Sequence, residues 1–199
     1  MYQQWIDVLT KPSQTLARAH HGKTTVEAAL KQWGAAYLVA GIIAGLLAGT
    51  FLNPVAGVSA LVTVLIGGLI LAFLGSIIVY IFAKAMGGRG DFMTQFYLVG
   101  LAVAPIIILK SVVLLIPIIG ILLNVLLVLY ELVLLTIAIK EAHRLDTAKA
   151  FLSWFLPLII VGVIVVLVAA TVFIAALTGA IFGGAAGGLA GWLTNVIPS

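Results

Sequence analysis

The chain has 199 residues, of which 64% are apolar and 8% charged, with mean hydropathy +1.32 and formal net charge +4. That composition excludes an ordinary soluble domain, because a globule of this size has no interior large enough to hide several uncharged apolar runs of about twenty residues. The absence of cysteine excludes disulfides and thiolate metal sites, and the small, localised positive charge points to membrane orientation and anionic lipid rather than nucleic acid.

Residues 1–31 form a mixed segment in which Trp5, Ile6, Val8, Leu9 and Leu16 alternate with Asp7, Lys11, Gln14 and Arg18, interrupted at Pro12. This pattern predicts an amphipathic helix lying along the cytoplasmic interface. Thr24-Thr25-Val26-Glu27 matches a capping box and Lys31 follows Glu27 at i+4, so a further helix is expected to start at Thr24 and run on into the first apolar span. Beginning only after about thirty mixed residues and exceeding a signal-peptide core, that span reads as a permanent helix.

Residues 32–178 hold five apolar runs, at 33–52, 57–83, 92–115, 118–139 and 150–178, each long enough to cross about 30 Å of hydrocarbon. The expected fold is all-α: a polytopic integral membrane bundle of five transmembrane helices with the N-terminal interfacial helix attached. Asn53-Pro54 and Pro117 with Gly120 suit tight, uncharged hairpins. The other connections carry Lys11, Arg18, Lys23 and Lys31, then Lys84 and Arg89, then Lys140, Arg144 and Lys149, which is nine of the ten basic residues. The positive-inside rule therefore predicts a multi-pass protein of the cell membrane with its N-terminus in the cytoplasm and its C-terminus outside.

Gly41, Gly45 and Gly49 in the first span, and Gly179, Gly183, Gly187 and Gly191 beyond the fifth, each place glycines on one helical stripe. Both stripes are expected to be helix-packing faces, within the chain or between copies of it. The glycine-rich segment 179–199 could extend the fifth span, re-enter the membrane, or lie at the outer surface; a surface or partly inserted tail is the favoured expectation.

Two charges fall inside spans, Lys110 and Glu131, and intramembrane ionisable groups are functional hypotheses by default. Lys110 is expected to snorkel toward the outer headgroups, with pairing inside the bundle as the alternative. Asn124 precedes Glu131 by seven residues and shares its face, so Lys110, Asn124, Glu131 and Pro105 outline a possible polar seam between the third and fourth spans. Pro105 frees the carbonyl of Leu101, to which an uncharged Glu131 could donate. Gly87-Gly88-Arg89-Gly90-Asp91 lacks a P-loop ending and reads as a flexible turn. His20, His21 and His143 form no metal or catalytic pattern. No enzyme activity and no cofactor are expected.

Trp5-Ile6-Asp7-Val8-Leu9 with Pro12, Lys84-Ala85-Met86-Gly87-Gly88, Pro105, Ile116-Pro117 with Gly120, and His143-Arg144-Leu145 before Ala148-Lys149-Ala150 resemble the Ypt/Rab-interacting protein (Yip) domain family over roughly residues 2–160. The resemblance implies a five-helix membrane domain with a cytoplasmic N-terminus. Eukaryotic relatives are implicated in vesicle traffic and bind prenylated small GTPases, usually through longer N-terminal regions; the compact form here is more like prokaryotic members. The expected function is a non-enzymatic membrane scaffold or adaptor. Its expected partners are the lipid bilayer, a membrane or peripheral protein, and a second copy of the chain. The alternative is a small transporter or channel built on the polar seam.

Overall fold

A computed structural model describes residues 2–22 and 24–196, with side chains up to Thr178. Among the described residues eight α-helices follow one another: α1 (Tyr2–Thr10), α2 (Pro12–His20), α3 (Val26–Phe51), α4 (Pro54–Val62), α5 (Gly68–Ala85), α6 (Phe92–Val113), α7 (Ile119–His143) and α8 (Thr147–Val196). A π-helical turn, Thr63–Gly67, joins α4 to α5, making one 32-residue apolar element from Pro54 to Ala85. Among the described residues, five elements are long and apolar enough to cross a membrane: α3, α4–α5, α6, α7 and Thr147–Thr178 of α8.

Local chemistry sets the boundaries. Thr25, not Thr24, caps α3, its side chain accepting from the Ala28 amide at 3.1 Å. The expected capping box is therefore displaced by one residue. Glu27 instead forms an exposed i,i+4 ion pair with Lys31 at 2.6 Å. Asn53 caps α4 through the Ala56 amide at 2.9 Å, with Pro54 at the first helical position, where its missing N–H costs nothing. Between α6 and α7 the chain reverses at Ile118, whose φ of 62° and ψ of −62° accompany a 2.7 Å bond from the Ile119 amide to the Pro117 carbonyl. This is a tight γ-type reversal that a β-branched residue adopts only under strain. Ile118→Gly is expected to raise stability by about 1 kcal/mol, read as a higher melting temperature in detergent; an unchanged or lower value would refute the strain.

The chain divides into two compact units, Met1–Phe155 and Leu156–Ser199. In the first, α6 is the central element, packed against α3 and α7 and buried along a continuous stretch from Thr94 to Ile106. Trp33 on α3 donates to the Phe96 carbonyl at 3.1 Å and stacks on its ring, and the Gly100 position leaves the space that the Trp33 indole occupies. On α3, Gly45 faces Gly57 of α4 so closely that a Cβ would meet the Gly57 carbonyl oxygen at 2.9 Å. Gly41 approaches the Leu61 carbonyl in the same way, and Gly49 the Gly57 Cα. This first stripe thus packs within the chain.

The N-terminal helices are part of the same unit. Val8 and Leu16 are fully buried, and the Tyr130 hydroxyl donates to the Leu9 carbonyl at 2.7 Å. Trp5 Nε1 donates to Gln32 Oε1. The apolar side chains expected to face lipid are, at Val8 and Leu16, covered by α6 and α7.

The second unit is the remainder of α8, with Pro157 inside the helix and Ile164, Val168 and Phe173 among its many apolar side chains. Residues 179–196 continue it as helical backbone. The packing of Gly179, Gly183, Gly187 and Gly191 lies outside the described residues.

Candidate functional site

Lys110 Nζ donates to Glu131 Oε2 at 2.7 Å, with the two side chains 26% and 18% exposed. The lysine does not snorkel outward. Lys110 lies three residues before the end of α6, roughly 5 Å of rise, whereas Glu131 lies twelve residues into α7, roughly 18 Å. Side chains lean toward the N-terminus of their own helix. In an antiparallel hairpin this tilts Lys110 away from the hairpin end and Glu131 toward it, so the two reach for each other. Glu131 Oε2 therefore lies against Lys110 Nζ rather than reaching the Leu101 carbonyl. Pro105 is buried within α6, apart from this pair.

The pair opens into a cavity of about 630 Å³ bounded by α3, α5, α6 and α7. Trp33 and Tyr37 contribute from α3, Gly75 and Ser76 from α5, Gln95, Val103 and Ser111 from α6, and Asn124 with Glu131 from α7. Asn124, Lys110 and Glu131 all line this cavity, and Pro105 does not. Most of the wall is apolar. Its length is set by α6 and its C-cap, which line it from Gln95 to Leu114, roughly 28 Å of rise and close to a hydrocarbon thickness.

At the opposite end from the hairpin lies a network that sequence reasoning missed. His143 is fully buried, its Nε2 2.8 Å from Gln95 Oε1, while Gln95 Nε2 donates to the Ser76 carbonyl at 2.8 Å. Because the Gln95 amide hydrogens point to Ser76, its oxygen must accept, which places the imidazole proton on Nε2. Gln95, an uncharged polar residue inside an apolar run, is a readable hint of inter-helix hydrogen bonding, whereas Ser76 contributes only its backbone carbonyl.

The glycine turn beside His143 is hydrogen-bonded to the ends of two helices. The Arg89 amide donates to the His143 carbonyl at 3.0 Å, and the Gly88 amide to the Ala83 carbonyl at 2.9 Å. A Cβ at Gly90 would overlap the Ala142 carbonyl oxygen, and one at Gly88 would lie 2.7 Å from His143 Nδ1. These glycines serve close approach to α7. Asp91 caps α6: burial pushes its carboxyl up, but the Thr94 hydroxyl at 2.6 Å, the Thr94 amide at 2.9 Å and neighbouring backbone N–H groups outweigh this and hold it below the ordinary carboxylate range. Among the described residues, no group of three or more His, Asp or Glu side chains could hold a metal ion.

Five apolar elements, a buried central helix and an intramembrane ion pair define a multi-pass α-helical membrane protein. The family model of the Yip1 domain matches residues 6–170, and the chain belongs to that family. The match runs from within α1 through α7 and about the first half of α8. None of the curated proteins matches the chain, and no solved structure does.

Proposed function

We propose that this chain is a non-enzymatic membrane scaffold or adaptor of the Yip type, holding a membrane or peripheral protein on the face formed by α1, α2 and the basic loops. The supporting observation is the docking of α1 and α2 onto α6 and α7 through Val8, Leu16 and the Tyr130–Leu9 bond. It turns the N-terminal segment into a preformed relief, from which Arg18, Arg89 and Arg144 project exposed. A binding surface fixed in advance loses less conformational entropy on association than a trailing segment would. The positive-inside rule assigns this face to the cytoplasm.

Brief crosslinking in native membranes, extraction in mild detergent and mass spectrometry test the reading. The expected result is one stoichiometric neighbour, which can be a second copy of the chain, reduced at least fivefold in the Arg18→Glu/Arg144→Glu variant. Recovery of the monomer with no neighbour would overturn it. The ion pair inside the cavity favours a second reading, a small transporter or channel, since paired charges at depth mark solute and proton paths. Flux in proteoliposomes that falls in Glu131→Gln would support it; no flux above empty vesicles would dismiss it.

A further inference from the structure

We infer that the cavity along α6 is a binding groove for one acyl chain of a bilayer phospholipid, whose zwitterionic head is held at the Lys110–Glu131 pair. Its lining selects the tail: apart from Lys110, Glu131 and a few uncharged polar side chains the wall is apolar, and it runs for roughly 28 Å of helix rise, close to a hydrocarbon thickness, as suits an extended acyl chain.

Charge selects the head. Lys110 uses one of its three N–H donors on Glu131, and Glu131 one of its two oxygens. What remains is a cation and an anion side by side, with no net charge. A phosphoethanolamine head complements both, its phosphate on Lys110 and its ammonium on Glu131, whereas a purely anionic head would leave the carboxylate facing like charge. Asn124, whose side chain makes no hydrogen bond among the described residues, adds a donor and an acceptor on the same wall. Lys110 lies near the hairpin end of α6, so the head sits at that end and the acyl chain runs toward Gln95. This inference is independent of the adaptor reading: lipid retention and partner capture can fail separately.

Gly75 provides the test, because it lines the groove and a Cβ built there meets nothing within 4 Å. A large side chain at this position enters the groove without displacing the fold. The full chain is reconstituted in nanodiscs of equal parts phosphatidylethanolamine and phosphatidylglycerol, then released into mild detergent for native mass spectrometry. Wild type is expected to keep one lipid, with phosphatidylethanolamine enriched at least fivefold over phosphatidylglycerol, and Gly75→Phe to lose at least tenfold of it. Retention unchanged in a Gly75→Phe protein that melts like wild type would overturn the proposal, as would bound lipid mirroring the nanodisc composition. Should Gly75→Phe lose its helicity, the wild-type lipid ratio decides alone.

Discussion

Glu131→Ala in an otherwise intact chain is expected to cost about 3 kcal/mol of stability, because it leaves the Lys110 ammonium at depth without its partner. Lys110→Ala is expected to cost a similar amount for the mirror-image reason. The informative variant is the double one. Replacing Lys110 with Met and Glu131 with Leu removes both desolvation penalties together with the bond, and stability is expected to return to within about 1 kcal/mol of wild type. Thermal unfolding of the four proteins in one detergent measures the cycle. Additive losses would mean that the two side chains act separately, contrary to their 2.7 Å contact.

Gly90→Ala is expected to be comparably damaging, at about 3 kcal/mol, although it adds only a methyl group. The added Cβ would overlap the Ala142 carbonyl oxygen, which is helix backbone and cannot rotate aside. Relief requires the turn to lift away from α7, breaking the 3.0 Å bond from the Arg89 amide to the His143 carbonyl and admitting lipid or water to the buried imidazole. Gly75→Ala supplies the contrast. Its Cβ meets open space, and helix propensity alone predicts a gain of about 0.5–1 kcal/mol. Equal melting temperatures for the two alanine variants would refute the account of Gly90.

The membrane architecture was legible because hydropathy and loop charge report directly on the solvent of each segment, and the five apolar elements stand close to the expected runs. The pairing of Lys110 with Glu131, the alternative to snorkelling, depends on the tilt of the side chains, which the positions of the spans alone do not carry. In an antiparallel hairpin that tilt favours the inner partner over the headgroups. The fate of Val8 and Leu16 could not be read, since an apolar stripe looks the same whether protein or lipid covers it. His143 was hidden by sequence distance: its partner Gln95 lies 48 residues away, and only the packing of α6 against α7 brings them together. The adjacent glycines looked like a loose loop for the same reason, their neighbour on α7 being absent from the local sequence.

The bond between Tyr130 and Leu9 joins residues 121 positions apart, which has a consequence in time. At about 5–20 residues per second, synthesis delivers Leu9 roughly 6–24 s before Tyr130 exists. During that interval α1 and α2 lack the α6 and α7 surfaces that cover Val8 and Leu16 in the finished protein. Val8 and Leu16 therefore gain their cover only late in synthesis, once α7 is complete.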